Sequence, residues 1–176
     1  MEIWDLYDFN RELTDKKIKR GDPIPEGYYR LVVHVCIFNG RGEMLIQKRQ
    51  PFKKGWSGMW DVSVGGSAVS GDTSAMAAER ELFEELGIRR SFYGVRPTLT
   101  YNFDKGFDDV YVLCEDVDTE SLTLQYEEVE AVKWADAQEI KRMIDGGEFI
   151  PYAKSYIDLL FYRRDNVEMT VRGDAK

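Results

Sequence analysis

The chain has 176 residues, 43% of them apolar, which suits a single domain with one core over 1–176. Its formal net charge of −8 argues against a nucleic-acid-binding surface, and it leaves phosphate-bearing substrates open only if a cation supplies the missing positive charge. No apolar run approaches the roughly 20 residues that span a bilayer, and "MEIWDLYDFN" lacks a basic segment followed by an apolar one, so the expectation is a cytoplasmic protein without membrane contact.

Residues 1–27 read as a polar N-terminal extension with a hairpin whose first strand lies near Ile3 to Tyr7. Shielding of a pocket or a homodimer contact are the roles open to it. "RLVVHVCIF" and "EMLIQKR" follow as strands joined by "NGRG", where Asn-Gly signals a hairpin. "WDVSVGG" reads as one short strand, and "SFYGVRPTLTYNF", "DVYVLCE" and "VEAVKW" as further ones rich in β-branched and aromatic residues. Cys36 and Cys114 fall inside these apolar runs and are expected as buried free thiols. Three helices are expected: Thr73 to Leu86 stopped by Gly87, Asp136 to Asp145 stopped by two glycines, and Tyr152 to Arg164 within a C-terminal helix and tail over 150–176. Strands interleaved with helices indicate an α/β or α+β layered domain.

The first helix carries the chemistry. At 100° per residue, Glu81, Glu84 and Glu85 share an arc of about 100°. Ala75, Ala78, Leu82, Phe83 and Leu86 fall on the opposite, core-facing side, with Glu79 expected to reach solvent at its edge. A solvated acidic face is the plain reading of such a run. Against it, like charges at i, i+4 destabilise a helix, and Glu84 and Glu85 near its C-terminus oppose the dipole. A hard divalent cation such as Mg²⁺ removes the conflict, because it takes oxygen ligands and can also grip phosphate oxygens.

From Gly66 the chain runs five residues to Asp72, seven more, then Arg80-Glu81-Leu82-Phe83-Glu84-Glu85-Leu86-Gly87-Ile88. This resembles the Nudix box, G-x5-E-x7-R-E-U-x-E-E-x-G-U with U apolar, here over 65–88; only Asp72 departs, where the family has Glu. A chance match of this quality is on the order of one in a million. The resemblance implies a Nudix-type α/β/α sandwich with a mixed, partly antiparallel sheet. It also implies hydrolysis of a diphosphate linked to a group X, with Mg²⁺ (or Mn²⁺) as cofactor and a small diphosphate as the partner molecule. Carried onto this chain, it makes Glu81, Glu84 and Glu85 metal ligands, adds the carbonyl of Gly65, and gives Arg80 the task of orienting the glutamates. Asp72 either replaces the box Glu or caps the helix with Thr73.

"HVCIFNGRGEMLIQKRQPFKKGWSGMWDVSVGG" and "LQYEEVEAVKW" are similar to the branch related to isopentenyl-diphosphate isomerase. That isomerase has "S-V-C-G-H" where this chain has "S-V-G-G-S", so Gly65 stands for its cysteine and Ser67 for a histidine, while Arg30 falls at its other metal histidine. His34, the only histidine, lies mid-strand and reads as a core or sheet-facing residue. The hydrolase is therefore the expected reaction, with an isomerase-like enzyme and a non-catalytic nucleotide-binding sensor as the alternatives. The general base is either a box glutamate or, as the resemblance allows, a loop carboxylate outside the box; of Glu127 and Glu128 in "YEEVE", Glu128 is the one favoured. Lys48 and Arg49 are the expected phosphate contacts and Trp60 the expected aromatic one, with Trp56, Tyr101 and Phe103 as the other aromatics that could stack on a base; packing is the plainer reading of each aromatic.

Overall fold

The computed structural model describes residues 2–166 and residue 169; the remainder of the expected C-terminal tail lies outside the described residues. Two strands, β1 (Ile3–Tyr7) and β2 (Leu13–Lys19), form a separate antiparallel hairpin. The main sheet has seven strands: β3 (Arg30–Phe38), β4 (Met44–Arg49), β5 (Trp60–Asp61), β6 (Val64–Ser67), β7 (Leu99–Phe103), β8 (Gly106–Cys114) and β9 (Val129–Ala135). Its order is β5-β4-β3-β8-β7, with β6 added on β3 and β9 on β4. β3 and β8 run parallel from Arg30 beside Gly106 to Phe38 beside Cys114; the other pairs are antiparallel.

β3 is apolar almost throughout because both of its faces are covered. Leu31, Val33, Val35 and Ile37 pack with Ala77, Ala78, Leu82 and Leu86 of helix α1 (Ser74–Leu86). Cys36 and Phe38 point the other way, onto Ile140 and Met143 of α2 (Ala137–Asp145) and Ile157 and Leu160 of α3 (Lys154–Asp165). The expected sandwich on a mixed sheet follows from this alternation. Among the described residues no helix is long and apolar enough to cross a membrane.

Several local expectations need correction. The expected strand "WDVSVGG" is two strands, because β3 and β4 touch only at Phe38 beside Met44 and then splay. β5 pairs with β4 and β6 with β3, so residues 60–67 cross the gap between them. Ser63 bridges it: its hydroxyl accepts from the Ile37 N–H (2.8 Å) and donates to the Leu45 carbonyl (2.5 Å), fully buried. Ser63→Ala strands both backbone groups in the core and is expected to cost about 2–3 kcal/mol, read as a lower urea midpoint at unchanged m-value. The expected β3–β4 hairpin does form, its turn closed by Asn39 and Glu43 around Gly40–Gly42, with Gly42 as its left-handed residue (φ 82°). Residues 91–98 form a loop through Gly94 and Pro97, not strand. Cys36 is buried as expected, but Cys114 is exposed.

Candidate active site

α1 begins at Thr73, whose side chain accepts from the Met76 N–H (3.2 Å), and ends at Gly87, whose left-handed backbone (φ 73°) returns its N–H to the Phe83 carbonyl (2.9 Å). Glu81, Glu84 and Glu85 face a cavity of about 390 Å³ bounded by α1, β6, the β3 N-terminal half and the β1–β2 hairpin. Phe83, expected in the core, is exposed and stacks under Arg89. Glu79 lies half-buried at the edge of the apolar side as expected, where it accepts from the Ser91 hydroxyl (2.9 Å) and the Phe92 N–H (2.6 Å) and pins the following loop.

Arg80 ties the cluster together. Its guanidinium donates to Asp72 Oδ2 (3.0 and 3.2 Å), to Glu81 Oε1 (2.9 Å), to Glu84 Oε2 (3.1 Å) and to the Ser67 carbonyl (3.0 Å). Asp72 is therefore an anchor for Arg80, and Thr73 alone supplies the helix cap. The carboxylates around it raise the Arg80 pKa against the opposing effect of burial.

Glu85 is only 3% exposed and accepts from Gln47 Nε2 (2.9 Å). Burial, reinforced by the charge of Glu81, pushes its carboxyl up to about 8. Burial raises Glu81 as well, against the pull of Arg80. In the described residues no three acidic side chains converge to enclose a cation as they stand, since Arg80 lies among them. The donor set still fits a hard cation. It is all oxygen, two of its carboxyls are held above their ordinary range by burial and like charge, and it faces an open cavity. A Cβ on Gly66 would run into the Glu81 carboxylate, and one on Gly65 into the His34 ring, so both glycines keep the strand close behind the acids.

Residues 28–153 match the family model described as the NUDIX domain. The chain belongs to the Nudix family. Its class is accordingly that of hydrolases acting on pyrophosphate bonds. It is 49% identical over 152 residues to an uncharacterised Nudix hydrolase of Listeria monocytogenes, covering 86% of this chain and 90% of that protein. It is 31% identical over 114 residues to the isopentenyl-diphosphate Delta-isomerase of Escherichia coli, covering 62% and 63%. A crystal structure from Deinococcus radiodurans superposes with a TM-score of 0.72 at 26% identity, over 94% of this chain and 100% of that one.

Beyond the Nudix box, the fold brings some of the expected residues to the cavity and not others. Gly65, Arg49 and Glu128 line it together with Arg80 and the three glutamates. Glu128 is paired with Lys53, and Arg49 lies 3.8 Å from Asp61. Lys48 and Trp60, expected as substrate contacts, are off its wall. Lys48 points along the other strand face to Glu130 (3.1 Å), and Trp60 packs into the second core with Lys133 over its ring. Of the aromatics that could stack on a base, Trp56 is the one at the cavity, 53% exposed and held at φ 51°, an unusual conformation for a bulky side chain.

The β8 carboxylates give a second, unexpected feature of this Nudix fold. Asp108, buried in β8, accepts from Tyr101 (2.6 Å) and pairs with His34 Nδ1 (2.7 Å). Burial opposes the charged imidazole, but Asp108 outweighs it and pushes His34 up to about 9. Its neighbour Asp109 is paired with Arg11 of the hairpin and accepts from Thr100 (2.7 Å). The two adjacent acids opening an apolar strand were the available sign, since buried carboxylates need partners.

Proposed function

We propose that the protein is a Mg²⁺-dependent hydrolase that cleaves the diphosphate linkage of a nucleoside diphosphate-X or related small molecule. The observation that carries this reading is the set of three glutamates turned from one capped helix into a charge-lined cavity, with Glu85 buried and short of positive charge. Glu81, Glu84, Glu85 and the Gly65 carbonyl would hold the ion, and Mn²⁺ would fit the same oxygens. When bound, the ion would offset the diphosphate charge and make the attacking water a better nucleophile.

The chain's own residues do the rest. Arg80 fixes the direction of Glu81 and Glu84 through its forked hydrogen bonds. Arg49 and Trp56 line the substrate side, the first for phosphate oxygens and the second for a planar group on X. Glu128 accepts the proton of the attacking water, with Lys53 holding its carboxylate at the rim. Glu128→Gln is expected to lower kcat about 100-fold and to remove the acidic limb of the pH–rate profile. An unchanged limb would move the base to a box glutamate.

The isomerase reading gains nothing from the cavity. Neither cysteine lines it, Gly65 and Ser67 occupy the positions of that enzyme's thiol and histidine, and its walls are charged rather than fitted to a hydrocarbon. A phosphate-release screen over nucleotide sugars, ADP-ribose, dinucleoside polyphosphates and oxidised nucleotides, with and without Mg²⁺, tests the hydrolase. Turnover that requires the ion is the expected result. Tight binding without turnover of any of them would point to a sensor instead.

A further inference from the structure

The cavity wall opposite the acids is basic, and it is built by the N-terminal extension. β1 and β2 are fastened to the loop that enters α1. The Ser70 N–H donates to the Ile3 carbonyl (2.7 Å), and Asp5 accepts from the Ser70 hydroxyl and the Gly71 N–H, both at 2.8 Å. Held there, the hairpin presents Glu2, Trp4 and Arg20 to the cavity. Arg30 meets them from the start of β3, on the same strand face as Val32 and His34.

Arg30 is a half-buried cation without a counter-ion. It donates to the Ser67 hydroxyl and lies over the rings of Trp4 (4.7 Å) and Phe103 (5.4 Å). Among the described residues no carboxylate forms an ion pair with it. Burial lowers its pKa and the like charge of Arg20 lowers it further, with Asp108, which forms no ion pair with it, offsetting part of the effect. Arg20 is paired with Glu2 (2.8 and 2.9 Å), so the group as a whole retains one positive charge. Trp4, 8% exposed, backs the group with its ring. With Arg20 held by Glu2, Arg30 is the guanidinium of this wall that no carboxylate pairs, and a half-buried unpaired cation is costly unless an anion joins it.

We propose that Arg30, with Arg20 beside it and the Trp4 ring behind it, forms an oxyanion subsite on the hairpin side of the cavity, separate from the metal-binding acids, which takes a phosphate or carboxylate group of the substrate. This rests on the hydrolase reading only in calling the ligand a substrate. The subsite makes Arg30 a specificity residue and favours an X group that is itself anionic. It also gives the hairpin a function, as the wall that reads the substrate's far end.

The test uses the full chain freed of metal, so that the acids cannot recruit anions through a cation. Inorganic phosphate and acetate are titrated separately at constant ionic strength, with binding followed by calorimetry and thermal shift. The parent is expected to bind phosphate saturably. Arg30→Gln is expected to bind it at least about tenfold more weakly, with Arg30→Lys in between. Should Arg30→Gln fail to fold, Arg30→Lys and Arg20→Gln decide the matter. Saturation by acetate and not phosphate would assign the subsite to a carboxylate. Saturation by neither, or equal affinities in parent and folded variants, would overturn it. Glu85→Gln separates the two readings. It should keep the phosphate affinity while losing Mn²⁺ binding. Phosphate binding lost in Arg30→Gln with Mn²⁺ binding unaffected by Glu85→Gln would sink the hydrolase reading and leave the subsite standing.

Discussion

Glu85→Gln is expected to lower Mg²⁺-dependent turnover by about 10³-fold while making the metal-free protein more stable at pH 8. The two effects share one cause. Glu85 is 3% exposed and its carboxyl is held up to about 8 by burial, from an ordinary value of 4.5. A carboxyl whose folded pKa is raised contributes its stability in full below the unfolded value and loses it as pH rises through the folded one. The relevant window is therefore pH 4.5 to 8, and across it the metal-free parent should lose stability on the order of a few kcal/mol that the amide variant keeps. Glutamine has the same shape, retains a partner for Gln47, and cannot ionise. Thermal melts in EDTA across that range check the stability claim, and a phosphate-release assay checks the rate. A variant destabilised at pH 8 and fully active would contradict both.

Gly66→Ala is expected to lower turnover by about 100-fold with little change in melting temperature. Gly66 has no positive φ, so alanine brings no backbone strain there. The added methyl instead takes the place of the Glu81 carboxylate, which must swing away and pull against Arg80. The displaced atoms end a flexible side chain, so the fold absorbs the change while the site does not. Mn²⁺ affinity should fall in parallel with the rate. Unchanged affinity would mean that Glu81 holds the ion from elsewhere, or not at all.

The glutamate helix was legible in the sequence because its geometry is local. A helix fixes the angle between Glu81, Glu84 and Glu85, and caps three residues or fewer away fix its ends. The alternating burial of β3 was legible for the same reason. The hairpin subsite was not, since Trp4, Arg20 and Arg30 meet through the docking of a separate sheet onto the loop before α1. His34 and Asp108 stand 74 residues apart and pair across parallel strands, whose register no local pattern states. Lys48 and Trp60 show the converse error. Both are of the right residue type, but alternation along β4 and the splay of β3 from β4 turn them off the cavity. Phe83 left its expected core position and Glu79 gained loop partners because the 88–93 segment folds back over the end of α1, an event outside the helix itself.

Calorimetric titration of Mn²⁺ into the parent and into Glu81→Gln, Glu84→Gln and Glu85→Gln, with turnover followed in the same samples, bears most directly on the site. Saturable binding in the parent, weakened at least about tenfold in Glu81→Gln and Glu85→Gln together with loss of turnover, is the expected result. Parent-like Mn²⁺ affinity in all three variants, or full diphosphate cleavage in EDTA, would contradict it.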